Sequence, residues 1–252
     1  MSRMIARSSL LFVAFAAALL VPAGAGAQVY FVAYLGTNYT QSADITLDVP
    51  AADLGVTFRD VHFDAHPFQS PQYYGGRLGW LFPPPRQSRS GEAGVRFGVE
   101  AEFVHLKVYA DTTREYVAEG RLAGLTPGGR LQMNTLVQRY AMTHGLNFLV
   151  GNVVVRRPVH DRLAVTARAG AGVTLPHAES TVLGVHKDHY EYAGPGAHVA
   201  AGLDWQLHGP FSVVGEYKLT YAQPEITIAA GTGRTTSLSH HFAFGIGIGI
   251  SR

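Results

Sequence analysis

Three features of the sequence predict an all-β protein, an eight-stranded antiparallel up-and-down transmembrane barrel of the outer-membrane type. Eight segments read as strands, most of them alternating with period two, one face apolar or aromatic and the other built from Gly, Thr and charged residues. The connections between them alternate between short turns and longer loops, with an even strand count. Beyond residue 27 no run of 18 apolar residues supplies a membrane helix, so strands are the remaining way to span.

The first 27 residues read as a cleaved secretory signal. Arg3 and Arg7 form a basic start, SLLFVAFAAALLV is an apolar core, and Ala25-Gly26-Ala27 is a small-residue cleavage site. Residues 28–252 then make one barrel domain. Removing Arg3 and Arg7 from the 20 Lys+Arg leaves 18 against 18 Asp+Glu, so the exported chain is formally neutral and has no basic stripe for nucleic acid. With no cysteine, its stability rests on packing and backbone pairing rather than disulfides.

The strands follow in order. VYFVAYLGTNY (29–39) is apolar on both faces. YYGGRLGWLF (73–82) sets Tyr74, Leu78, Trp80 and Phe82 against Arg77. GVRFGVEAEFVHLKVYA (94–110) sets Val95, Phe97, Val99, Ala101 and Phe103 against Arg96, Gly98, Glu100 and Glu102. TLVQRYAMTHGLNFLVGNVVVRR (135–157) reads as one long strand with a bulge. From Leu163 to Leu175 the odd positions are Leu, Val or Ala, against Thr166, Arg168, Gly170, Gly172 and Thr174. Residues 197–207 and 211–221 alternate likewise, the latter opposing Phe211, Val213, Tyr217 and Tyr221 to Ser212, Glu216, Lys218 and Thr220. SLSHHFAFGIGIGI (237–250) places Phe242, Phe244, Ile246, Ile248 and Ile250 opposite Ser239, His241 and glycines. Short turns are expected at 83–92, 157–161 and 208–210, and loops at 40–71, 112–135, 185–194 and 229–234.

In this phase Arg77, Arg96, Glu100, Glu102, Arg168, Asp204, Glu216 and Lys218 all point inward. Four cations and four carboxylates then compensate one another in a narrow interior filled by side chains. A soluble ligand-enclosing barrel would instead carry its polar residues outside.

The chain has 12 histidines, and all but His160 and His208 fall in the long loops or near the loop-side ends of strands. There an imidazole can ligate a divalent metal, relay protons or, when protonated, pair with phosphate. It can equally fill a membrane interface as an amphipathic side chain. Ser239, His241 and Glu216 hold the ingredients of a Ser-His-acid site, and Glu100 with Glu102 those of paired acids. Ordinary interior filling and ion pairing with Arg77, Arg96 and Arg168 account for the same residues.

THGLNFLVGNVVVRRP (143–158), RAGAGVTLPHAES (168–180), YEYAGPG (190–196), GEYKLTYAQPEI (215–226) and SHHFAFGIGI (239–248) resemble the outer-membrane lipid A oxidase family, as do VEAEFVHLKVYAD (99–111) and YYGGRLGW (73–80). The resemblance implies an eight-stranded barrel in contact with lipid A and lipopolysaccharide. The reaction it implies is oxygen-dependent oxidation of the proximal glucosamine to 2-aminogluconate, with molecular oxygen as co-substrate and release of hydrogen peroxide. It brings no catalytic set with it. Its similar segments hold His144, His177, His241, Glu216 and Lys218, our catalytic candidates, and His105, Lys107, Asn147, Tyr192 and Tyr221, our substrate-binding candidates. No nucleotide fold or haem motif is present, so a divalent metal enters by elimination as a redox partner. A monomer inserted by the barrel-assembly machinery is expected. Two alternatives stay open: a non-catalytic structural or adhesive barrel, and a lipid A deacylase using Ser239, His241 and Glu216.

Overall fold

The computed structural model describes residues 28–83, 94–122 and 128–251. The expected signal segment at 1–27 and nearly all of the expected turn at 83–92 lie outside the described residues. The chain enters as β1 (Gln28–Thr40), then leaves the ring through β2 (Ala43–Val49), β3 (Leu54–Val61) and β4 (Phe63–Asp64). It returns as β5 (Tyr74–Leu81) and β6 (Arg96–His105). A second excursion runs through β7 (Val108–Ala110), β8 (Glu115–Leu122), β9 (Gly128–Gln132) and β10 (Val137–Met142). After β11 (Phe148–His160) and β12 (Leu163–Thr174), β13 (His177–Val182) and β14 (Val185–Tyr190) form the third excursion. Next come β15 (Pro195–His208), β16 (Phe211–Ala222), the excursion β17 (Glu225–Ile228) and β18 (Gly231–Thr235), and finally β19 (Ser237–Ser251).

Strands β1, β5, β6, β11, β12, β15, β16 and β19 pair antiparallel with their chain neighbours, and β1 pairs with β19 from Gln28↔Ser251 to Thr40↔Ser239. That last ladder closes an eight-stranded barrel, so these strands present no free edge. The alternation read from sequence sets the faces. Val153, Phe244 and Ile246 are 64%, 70% and 62% exposed, while Val154, Ala243 and Lys218 on the opposite face are buried. Exposed apolar and aromatic residues recur outward on every barrel strand, from Phe31 and Leu35 on β1 to Phe97, Val165, Val199 and Val213. Trp205 and Phe211 stand near the turn-side rim, and Tyr39, Tyr74, Tyr190 and Tyr221 near the loop-side rim. This is an apolar band between aromatic girdles, the outer surface of a barrel solvated by lipid.

Two sequence expectations are corrected. Residues 94–110 and 135–157 are not single strands, because each breaks at the loop-side rim, at Leu106–Lys107 and Thr143–Asn147. Gly145 makes the second break possible. It takes φ +96°, and a Cβ there would lie 2.3 Å from the His105 ring. The expected loops are largely strands as well. They build two sheets, β14-β13-β10-β7-β4 and β17-β18-β2-β3-β8-β9, above the barrel mouth. Ile45, Leu47, Val56, Phe58, Val108, Tyr140, Met142 and Ile226 belong to one buried cluster that continues into the barrel top through Val104, Phe148 and Val150. The loop side is therefore closed by a packed cap, and burial within it raises the Tyr140 phenol pKa above its ordinary value.

Candidate functional site: the barrel interior and the loop-side rim

Inside the barrel, register brings together ionised residues that are far apart in sequence. Glu100 and Glu102 on β6 face Arg77 on β5, Arg168 on β12, and Glu216 and Lys218 on β16. Arg168 Nε donates to Glu100 at 3.0 Å and Arg77 Nη1 to Glu216 at 2.9 Å; Arg168 also pairs with Glu216. Lys218 pairs with Glu102 and lies 3.3 Å from Glu216. Tyr30 donates to Glu100, Tyr34 to Glu102 at 2.7 Å, and Asn152 to both carboxylates at 3.1 and 2.7 Å. Since the Asn152 amide nitrogen is donating, its oxygen accepts from His198 Nε2 at 2.7 Å. Three cations and three carboxylates thus cancel in a side-chain-filled barrel. Gly75 makes room for this packing, since a Cβ there would overlap the Tyr34 ring at 2.3 Å. The expected Asp204 pairs instead with Arg156, at 3.1 Å, towards the turn side.

The catalytic candidates Glu216 and Lys218 are members of this network, and His241 lies one ladder step away, opposite Lys218. His241 is fully buried, its Nε2 hydrogen-bonded to Thr220 at 2.9 Å and its ring 5.5 Å from that of Tyr73. Ser239 bonds Thr40 at 2.7 Å and Ser237 at 3.1 Å. Ser239, His241 and Glu216 each find other partners, so they are not linked as nucleophile, base and acid.

The other candidates divide between cap and rim. Lys107 is buried under the cap, donates to the Gln69 carbonyl at 2.8 Å, and has its pKa lowered by burial. His105, His144, Asn147 and His177 do meet, at the loop-side rim. Phe148 pairs with Thr174, so the residues just beyond that rung run side by side, with Leu175 N–H donating to Asn147 O at 2.8 Å and His177 N–H to Gly145 O at 3.1 Å. Asn147 donates to the carbonyls of His144 at 3.3 Å and Leu175 at 3.0 Å. Its oxygen is then left to accept from His105 Nδ1 at 2.8 Å. Tyr74 stacks on His105 with centroids 4.6 Å apart. The His177 ring meets those of His144 and Tyr190 edge-on, each at 4.6 Å. His144 and Tyr190 are exposed and His177 half-buried. Tyr192 and Tyr221 are 61% and 47% exposed, on the outer surface and outside this cluster.

Sequence reading missed Thr143, Tyr74 and Tyr190 as members of the rim cluster. The tyrosines had a signal, being aromatic residues where strands leave the barrel, but Thr143 had none. A hollow in the cap lined by Arg59, Asp60, His62, Arg114, Glu115 and Arg130 is a weaker candidate. Its guanidiniums already engage Asp44 and Glu119, Asp111, and the Glu115 carbonyl.

No protein-family model matches the sequence, and no curated protein matches it. Solved structures with a similar course include neisserial surface protein A, at TM-score 0.36 and 10% identity over 89% of this chain and 97% of that one. The outer membrane protease OmpT from Escherichia coli gives 0.42 and 8% over 88% and 97%. The outer membrane protein OprG from Pseudomonas aeruginosa gives 0.42 and 9% over 91% and 98%. The chain's own strand order and closing ladder make it an eight-stranded antiparallel barrel of the outer-membrane type.

Proposed function

We propose that this chain is an outer-membrane barrel that engages lipid A at its loop-side rim and oxidises the proximal glucosamine to 2-aminogluconate, with molecular oxygen as co-substrate. The observation that carries the reading is the position of the His105–His144–Asn147–His177 cluster. It lies at the edge of the exposed apolar band, where acyl chains give way to sugars and phosphates. A lipid held along the barrel wall would present its sugar to His144 and His177 without leaving the membrane. The C1 hydrogen and two electrons pass to dioxygen, which leaves as hydrogen peroxide, and water supplies the oxygen gained. A water held between His144 and His177 takes the proton lost from the sugar hydroxyl, and Asn147 holds the adjoining backbone in place. The exposed Tyr192 and Tyr221 offer hydrogen bonds to the headgroup, while His105, buried beneath Tyr74, steadies Asn147 from behind. The reaction comes from the resemblance of residues 73–80, 99–111, 143–158, 168–180, 190–196, 215–226 and 239–248 to lipid A oxidases.

Mass spectrometry of lipid A from cells with and without the chain tests the reading. A gain of one oxygen atom, lost in His144→Ala and His177→Ala, is expected. An unchanged mass overturns the oxidase. A second reading, a non-catalytic barrel, is favoured by the burial of Glu216, Lys218 and His241 behind the wall, where a membrane lipid does not reach them. It predicts that lipid A is unaltered and that the rim substitutions change nothing.

A further inference from the structure

Thr143 Oγ1, His144 Nδ1 and His177 Nδ1 form a nearly equilateral triangle. Thr143 Oγ1 is 3.3 Å from His144 Nδ1 and 3.1 Å from His177 Nδ1, and the two nitrogens are 3.3 Å apart. Two ligands at ordinary bond length from a tetrahedral zinc ion stand about 3.3–3.4 Å apart. The point equidistant from all three atoms is roughly 1.9 Å from each, so an ion less than about 1 Å out of their plane meets each at a normal zinc–ligand distance. With one ring carrying its proton on Nδ1 and the other unprotonated there, the same contacts serve as hydrogen bonds, and an ion would take the place of the shared protons.

We infer that His144 and His177 bind a divalent transition-metal ion of the zinc type through their Nδ1 atoms. The Thr143 oxygen completes a three-sided seat, and the outward position stays open to water or an anionic oxygen. Two surrounding features pre-order the seat. Asn147 pins the His144 carbonyl, and Tyr190 packs edge-on against the His177 ring. The Asp188 carboxylate stands 4.0 Å from His177 Nε2, beyond hydrogen-bond distance, and 3.8 Å from His186. Two imidazoles with an oxygen donor suit zinc, copper or nickel rather than calcium or magnesium. Among the described residues no three His, Cys, Asp or Glu side chains converge, here or elsewhere. The site here uses two, which is why it needs the hydroxyl and an open coordination position.

The test is a zinc titration of the untagged folded chain in detergent, in competition with a chromophoric chelator and with no lipid A present. Its outcome is therefore independent of the lipid A reading. One equivalent should bind. His144→Ala and His177→Ala should each weaken binding by about tenfold or more, at least the loss known for removing a partner behind a ligand. His240→Ala, at a half-buried rim histidine outside the triangle, should leave binding unchanged. Cobalt added in place of zinc to the unmodified chain should give the visible absorption of a low-coordinate nitrogen site, a readout that needs no variant. Absence of zinc binding, binding that survives both rim substitutions, loss on His240→Ala, or a cobalt spectrum of six-coordinate water would each overturn the assignment.

Discussion

Lys218 has no exposed surface, and its ammonium group is held by Glu102, Glu216 and the Tyr34 hydroxyl. Breaking a buried ion pair from one side leaves an uncompensated charge and costs about 3–5 kcal/mol, whereas neutralising both sides costs far less. Lys218→Met should therefore lower unfolding stability in detergent by roughly that amount, and Lys218→Met with Glu102→Gln should recover most of the loss. Urea titration of the three chains checks the non-additivity. Gly145 is the second residue with a forced identity. Gly145→Ala places a Cβ at φ +96° and against the His105 ring, so it should destabilise by about 1–3 kcal/mol. The loss should be local, read as faster amide exchange at 143–147. The inward charge phase was legible in sequence because alternation assigns every second residue to one face. That Arg77 and Arg168 pair with Glu100 and Glu102 was legible too; which carboxylate each guanidinium meets was not, since Arg168 meets Glu100 across 68 positions and only ladder register places them together. The meeting of His144 with His177 escaped for the same reason, because it depends on the rung Phe148↔Thr174.

At the scale of elements, all eight barrel strands were readable because one face of each had to be apolar throughout. Where strands ended was less readable, as β6 and β11 run into β7 and out of β10 with no change of hydrophobic pattern. The cap had a signal that went unread. ADITLDV (43–49) and LGVTFRDV (54–61) alternate as regularly as the barrel strands, with Ile45, Leu47, Val49, Leu54, Val56 and Phe58 on one face. Their length falls short of a spanning strand, and in a sequence already showing eight such strands they passed for loops. Phe58 is fully buried in the cap, so Phe58→Ala should cost about 3–5 kcal/mol of cap stability. Hydrogen exchange should then rise across β2, β3 and β8, while the barrel ladders keep their protection.

For the whole molecule, neutral ion pairing inside, an apolar band outside and a packed cap above point to a barrel that seals rather than conducts. Reconstituted into planar bilayers, the chain should pass no sustained ionic current, and a steady conductance would mean that the interior network opens. The central claim is that lipid surrounds the outward face of the closed ring. The absence of native cysteine permits a direct measurement. Single cysteines carrying nitroxide labels are placed at Val153 and Phe244 on the band and at Asp48 on the cap, in lipid vesicles. Collision with dissolved oxygen and with a water-soluble nickel chelate is then compared at each position. Labels at Val153 and Phe244 should relax mainly through oxygen and the label at Asp48 mainly through the chelate. Chelate-dominated relaxation at Val153 and Phe244 would place those residues in water and contradict the account.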